Sequence, residues 1–425
     1  MLVYFSNINK YDSTARFYYN IEMRLRQTIL IFLVLSACSA IGCQPYARKA
    51  AEEKLSSIDA VVEEEITNGS FPGAVVLVGQ PRPCRRGEGQ ADKILYWWAF
   101  GHAVAQPYRE AMTKNTIFDV ASLTKPIATA TSIMILADRK KIELTDYVGK
   151  YIPDFACNSK EQVRIDHLLT HTSGLPAYTD ANELKEQFGS LCPDKVIERI
   201  CRMKALSKPG EEFRYSCLGY IILAKILEAA SGQDFADFAA ENIFEPLKMT
   251  RPIFNPPESR TNDIAATQLL EQRLLRGTVH DPLARLMGGV SGNAGLFSTA
   301  YDLSLYCRML ANNGTLDGVR VLSPDAVAML TTAQSHGRAY GFDVSSSYSW
   351  VKGSFAPEQA FCHTGYTGTS IVCDPVNKVY VIILSNSIHP HDKGTSKAIR
   401  VKVVDIVFGT GGSPGNHQTD KSPMD

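Results

Sequence analysis

Ser122-Leu-Thr-Lys125 sets a hydroxyl and an amine three residues apart. On a helix, positions i and i+3 share a face one turn apart, so the amine stands where it can help take the hydroxyl proton and turn a weak nucleophile into a competent one. Pro126 is tolerated only in a first helical turn, where its missing N–H is no loss, and this puts Ser122 at a helix N-terminus. Unpaired N–H groups and the positive end of the helix dipole favour an alkoxide there and, later in a reaction, an oxyanion. Spacing alone does not settle the matter, because an N-cap serine followed by a solvated lysine has the same spacing. Ser349-Trp-Val-Lys352 also fits Ser-x-x-Lys, but it lies in an alternating stretch that reads as strand. There i and i+3 point to opposite faces.

Two further clusters carry chemistry. Tyr215-Ser216 follows Pro209-Gly210 and precedes an amphipathic helical stretch. A tyrosine in such a loop reaches a cleft, and a cation such as Lys125 would lower its pKa enough for it to relay the serine proton. Packing at a helix entry is its bland alternative. His363-Thr364-Gly365 opens the strand-like run Thr367–Cys373. Glycine lets a substrate backbone approach a strand edge, while His363 and Thr364 offer donors to a carboxylate or carbonyl. In isolation, His363 reads equally well as a structural histidine.

Elements must bring these three clusters together. Leu55, Ile58, Val61, Val62 and Ile66 share a helical stripe within 51–68, which Gly69 and Pro72 end. Phe71–Gly79 and Ile94–Gly101 read as strands. Ser122–Ile142 reads as one long helix, and helices alternate with loops to about residue 290, among them Pro193–Arg202, Leu218–Ala230 and Phe235–Phe244. Tyr301–Asn312 is helical. Strand character returns at Tyr340–Phe342, Ser347–Val351, Thr367–Cys373 and Lys378–Ser385, the last two joined by a turn at Asp374–Asn377. Ser396–Val407 reads as a closing helix. The pattern predicts an α+β fold in which the two chain ends build one sheet, with a helical middle packed to one side.

The order Ser122-x-x-Lys125, Tyr215-Ser216-Cys217, His363-Thr364-Gly365 resembles that of the serine β-lactamase and penicillin-binding-protein superfamily. Class C β-lactamases and the related esterases and D-alanyl-D-alanine carboxypeptidases are the nearest in pattern. Leu168-Leu-Thr-His-Thr-Ser-Gly-Leu-Pro176 and Gly288-Gly-Val-Ser-Gly-Asn-Ala-Gly-Leu-Phe-Ser-Thr299 look like the family's internal segments, and the resemblance runs from about residue 52 to 408. It implies a β-lactamase/transpeptidase-like antiparallel sheet flanked by helices, its sheet part at about 52–121 and 300–408 and its helical part at about 122–299. It implies Ser122 as the acylated nucleophile, and Lys125 and Tyr215 as sharers of the acid–base work. The backbone N–H groups of Ser122 and Tyr366 would form the oxyanion hole, and His363, Thr364, Gly365 and Cys217 would face the substrate. No cofactor and no metal are expected.

Two positions depart from the family pattern. His363 stands where β-lactamases more often carry lysine, and Cys217 stands where the second motif usually ends in asparagine. An imidazole is largely neutral at pH 7, and a thiol lacks the amide's paired donor and acceptor. Both changes weigh against β-lactam hydrolysis and toward a carboxylesterase or a peptidoglycan D,D-carboxypeptidase. β-Lactamase activity and a catalytically silent, lipid-anchored peptidoglycan-binding protein are the alternatives. An α/β-hydrolase is set aside for want of a Gly-x-Ser-x-Gly elbow.

Arg24, Arg26 and the apolar run Thr28–Ala37 read as a signal peptide over 23–38, with Leu35-Ser-Ala-Cys38 resembling a lipobox whose Cys38 is lipidated. This implies a start at Met23, residues 1–22 as a non-native extension, and a lipid-anchored protein of the bacterial envelope facing the periplasm or exterior. Gly409–Asp425 reads as a flexible tail. Lysine plus arginine equals aspartate plus glutamate at 44 each, so no field draws the chain to nucleic acid. The substrate expected is a small molecule or a peptidoglycan peptide. Ten cysteines include no Cys-x-x-Cys pair, which leaves zinc and redox motifs without support.

Overall fold

The computed structural model describes residues 44–81, 92–270, 272–392 and 396–409. The signal-like segment with Cys38, the extension 1–22, and residues 410–425 of the tail lie outside them. From Ser57 onward the chain forms one compact unit. Helix α1 spans Gln44–Thr67, and Ile58 and Val62 of its apolar stripe are buried.

Six antiparallel strands make the main sheet: β1 (Gly73–Pro81), β2 (Asp92–Val104), β3 (Glu110–Ala111), β4 (Phe361–Gly365), β5 (Thr369–Asp374) and β6 (Val379–Ser385), in the order β4-β5-β6-β1-β2-β3. The two chain ends meet where β1 pairs with β6, Ala74 opposite Ser385 and Gly79 opposite Tyr380. Val75, Val76, Leu77 and Val78 are wholly buried, so the β-branched run is a central strand covered on both faces rather than a half-exposed one. The helical middle contributes α2 (Thr131–Asp138) and α3 (Cys217–Ser231). Helix α4 (Ala300–Ala311) packs on β1 and β6, and α5 (Lys397–Phe408) closes against β6. The predicted α+β organisation is the one observed, although the middle also holds short strands such as Gln268–Leu270 paired with Arg273–Leu275.

Four elements differ from the sequence reading. The long helix predicted over Ser122–Ile142 is broken into a 3₁₀ turn at Ala121–Leu123, a wide i→i+5 turn at Lys125–Ala130, and α2. Pro126 has no N–H and crowds the preceding turn, and its carbonyl accepts the Thr131 N–H five residues on as well as Thr131 Oγ1 at 2.8 Å and Tyr306 Oη at 3.3 Å. His363 lies inside a strand of its own, β4, rather than at the start of the next. Tyr340–Phe342 and Ser347–Val351 are not strands. Ser349–Lys352 forms a 3₁₀ turn in which Ser349 Oγ donates to Ser346 O and Lys352 Nζ donates to Val344 O and Glu358 O. The second Ser-x-x-Lys therefore satisfies itself locally, through a different geometry from the one expected.

Candidate active site

The turn that carries Ser122 is held in an unfavourable conformation. Ala121 has φ +48°, a left-handed region that costs a non-glycine residue about 1–3 kcal/mol and persists only where surroundings enforce it. Three contacts do so. Ala121 N donates to Asp119 Oδ1 at 2.9 Å, Thr124 Oγ1 donates to Ala121 O at 2.7 Å, and Thr369 Oγ1 donates to Val120 O at 3.0 Å. Ser122 stays partly exposed while Ala121 and Leu123 are buried, so the turn lifts one hydroxyl to the surface of a packed core.

Lys125 is wholly buried beneath it. Its Nζ donates to Ser122 Oγ at 2.9 Å, to Asn293 O at 2.9 Å and to Cys217 Sγ at 3.5 Å. Burial opposes the charge, but the ionisable Cys217, Tyr215 and Asp281 and the hydrogen bond to Tyr215 favour it, and Lys125 is held above the ordinary lysine value. Tyr215 joins from the other side. Lys125 Nζ is 5.1 Å from its ring centroid, and the phenol hydrogen-bonds Ser122. Burial pushes the Tyr215 phenol up, against the pull of Lys125.

The two internal segments noted in the sequence have definite work. The Tyr215 loop hangs on residues 168–177: Ser216 N donates to His171 Nδ1 at 3.1 Å, Arg214 N to His171 O at 2.9 Å, Ser216 Oγ to Pro176 O at 2.6 Å, and Cys217 N to Ala177 O at 2.9 Å. Tyr215 is stacked on Tyr348 at 4.9 Å and tilted on His171 at 4.4 Å. The Gly-rich segment supplies Asn293 O to Lys125. It comes close because residue 292 is glycine: a Cβ there would meet Tyr220 O at 2.0 Å. Asn293's own amide donates to Asp281 Oδ1 at 3.1 Å, and its Oδ1 accepts from Ser291 Oγ at 2.7 Å.

Strand β4 runs along the Ser122 turn. Gly365 is required at their crossing, since a Cβ there would meet Val120 O at 2.5 Å and Thr369 Oγ1 at 2.1 Å. The next residue, Tyr366, is 64% exposed, its ring stacked on His280 at 5.7 Å and its Oη donating to Asp392 Oδ2 at 2.5 Å. Thr364 is partly exposed and Gly365 is buried. His363 is buried, and burial together with the charges of Arg338 and Lys125 pushes its imidazole well below the usual histidine range. Arg338 is itself fully enclosed, ion-paired with Asp343 and 5.8 Å from the Tyr215 ring.

The structure thus gathers Ser122, Lys125, Tyr215 and Cys217 at one point, with His363, Thr364, Gly365 and Tyr366 on the adjoining strand and turn. Sequence reasoning missed Asp119, Arg338 and the side chain of Asn293. Their signal was no more than a charged or polar residue beside a motif, and burial is what gives them a role. The seven described cysteines are free, and among the described residues no group of three or more histidine, cysteine or acidic side chains could hold a metal ion.

The Beta-lactamase family profile matches residues 58–405, which include every one of these side chains. The chain belongs to the β-lactamase family. Among curated members, the Escherichia coli K12 protein named "Putative D-alanyl-D-alanine carboxypeptidase" is 30% identical over 410 residues, covering 86% of this chain and 92% of that one. The Bacillus subtilis N-acetylmuramyl-L-alanine amidase is 27% identical, covering 79% and 82%. Among solved structures, EstCE1, a hydrolase with promiscuous acyltransferase activity, superposes with a TM-score of 0.67 at 22% identity, over 85% of this chain and 100% of that one. The octameric penicillin-binding protein homologue from Pyrococcus abyssi gives 0.66 at 24% identity, over 83% and 77%. This β-lactamase-family chain is a serine hydrolase by kinship, and its fold is the β-lactamase/transpeptidase-like one.

Proposed function

We propose that the protein hydrolyses uncharged carboxylic esters through an acyl-Ser122 intermediate. The observation that carries the substrate class is the burial of His363, where desolvation and the charges of Arg338 and Lys125 disfavour a cationic imidazole. A fixed cation about 4 Å from a substrate carboxylate is worth about 4 kcal/mol at the dielectric of a protein surface. Lys125 already donates to Ser122, Cys217 and Asn293, and Arg338 is paired with Asp343; Arg400 is buried in the core, where it donates to Gly365 O at 2.9 Å. An acyl donor without a carboxylate loses nothing by this.

In the reaction, Ser122 Oγ attacks the acyl carbon while its proton passes to the Lys125–Tyr215 pair. The carbonyl oxygen becomes an oxyanion between the N–H groups of Ser122 and Tyr366, and each such donor is worth about 3 kcal/mol. Tyr215 returns the proton to the leaving oxygen. Water then enters by the reverse sequence and releases the acid.

A second reading is D,D-carboxypeptidase activity, favoured by the name and the extent of the Escherichia coli relative. The test compares kcat/KM for a short-chain activated ester with that for an N-acylated D-alanyl-D-alanine peptide. Ester turnover exceeding peptide turnover by tenfold or more is expected. Release of D-alanine as the faster reaction would replace the first reading with the second.

We also propose envelope anchoring through a lipid on Cys38, supported by Arg24, Arg26 and the apolar run that ends at that cysteine. Expressed in a bacterium, the chain should partition into detergent, and Cys38→Ser should return it to the aqueous phase. Equal partition of the two would remove the anchor.

A further inference from the structure

We infer that Asp119 is the positioning residue that sets the two halves of the oxyanion hole against each other. The inference rests on the acyl-transfer reading of Ser122. The two oxyanion donors lie on separate pieces of chain, the Ser122 turn and the turn after β4, and something must fix their separation. Asp119 is 2% exposed and touches both. Its Oδ1 accepts from Ala121 N at 2.9 Å, the residue before Ser122 and the one held at φ +48°. Its main-chain carbonyl accepts from Thr367 Oγ1 at 2.7 Å, the residue after Tyr366. Its Oδ2 accepts from His280 N at 2.7 Å, and the His280 ring backs the Tyr366 ring at 5.7 Å. One side chain and its own carbonyl thereby tie the nucleophile turn, the Tyr366 turn and the aromatic support behind Tyr366.

The carboxylate needs its charge for this, because both oxygens accept an N–H and a protonated acid would present a hydroxyl to one of them. Burial raises its pKa, the N–H bonds of His280 and Ala121 lower it, Asp281 raises it and Arg285 lowers it, leaving it at about 6. The neighbouring imidazole of His280 is itself lowered by burial and by Arg285, and His171 and His363 lie well below the usual range. An acid-side loss near pH 6 is therefore the signature of Asp119.

The test follows acylation of Ser122 by an activated ester from pH 4.5 to 9, by intact-protein mass, in wild type, Asp119→Asn and Arg285→Gln. Wild type should lose an additional factor of about five between pH 6 and pH 5, beyond the slope set by the base. Asp119→Asn keeps the shape but places an amide NH₂ against one N–H. It should acylate at least tenfold more slowly at pH 8 with little change in KM, and it should lack the extra acid-side fall. Arg285→Gln removes the positive neighbour and should move that fall to higher pH, which keeps the test alive if Asp119→Asn does not fold. Asp119→Asn with a lower Tm but wild-type acylation rate and pH profile overturns the inference and leaves acyl transfer standing. So does an unmoved acid-side fall in Arg285→Gln. No adduct on wild type overturns the acyl-transfer reading itself.

Discussion

At the scale of single residues, the site is a proton inventory. Lys125 is held above its ordinary pKa and Tyr215 is raised by burial, so both are protonated at neutral pH and neither is yet a base. The active form arises when the pair loses one proton. Turnover should therefore climb as pH rises from 7 toward 10, with one apparent pKa belonging to the pair, and a flat profile over that range contradicts this account. The contacts of Lys125 also rank its neighbours. Lys125→Met should lower kcat/KM by about 10²- to 10⁴-fold, the span of a lost acid–base group. Cys217→Ala removes one weak contact and leaves those to Ser122 Oγ and Asn293 O, so about tenfold or less is expected for a single hydrogen bond. Steady-state kinetics on the two variants check the ranking, and an equal loss in both would contradict it. Ser122, Lys125, Tyr215 and the His363-Thr-Gly run were legible in the sequence because their types and spacing carry the chemistry. Asp119 and Arg338 were not, because what makes a carboxylate or guanidinium matter here is the absence of water, and no spacing rule reports burial.

At the scale of elements, the decisive feature is how closely β4 passes the Ser122 turn. Thr369 Oγ1 of β5 and Thr367 Oγ1 of the turn between β4 and β5 tie this hairpin to the Ser122 turn through Val120 O and Asp119 O, and Gly365 makes room for the approach. Gly365→Ala should push β4 outward, widen the separation of the two N–H donors, and cost about 10²- to 10³-fold in kcat, as removal of one donor does. Measuring kcat alongside the far-UV circular dichroism separates this from unfolding: a normal spectrum with normal kcat would show that the crossing is not what sets the oxyanion hole. Helices with clean apolar periodicity, such as Cys217–Ser231 and Lys397–Phe408, were readable to within a residue or two. The broken helix after Ser122 was not. Periodicity continues across the Lys125–Ala130 turn, and only the backbone bond from Thr131 N to Pro126 O, five residues apart, reveals that the ladder has widened.

At the scale of the whole molecule, strands from the two ends of the domain form the sheet, and the segment between them carries Ser122, Lys125 and Tyr215. Strand β1 from one end and β6 from the other are neighbours in the sheet centre, which makes the fold depend on contacts most distant in sequence. Ile382, wholly buried in β6 opposite Leu77, tests this. Ile382→Ala should cost about 2–5 kcal/mol and lower Tm for activity and secondary structure together; loss of activity well before loss of structure would show that the two halves unfold separately. The overall arrangement was legible because alternating and β-branched runs fall at both ends and helical ones between. The main departures were Tyr340–Phe342 and Ser347–Val351, where alternation produced turns, and pairing with β4 is confined to a bridge between Asp343 and Cys362. The claim on which everything else rests is acyl transfer through Ser122, and the most direct measurement is the intact mass of the protein after exposure to an activated ester and, separately, to a penicillin. An adduct with the ester on wild type that is absent from Ser122→Ala is the result this account predicts. A well-folded wild type that takes up no acyl group, or a Ser122→Ala variant that takes it up equally, would contradict it.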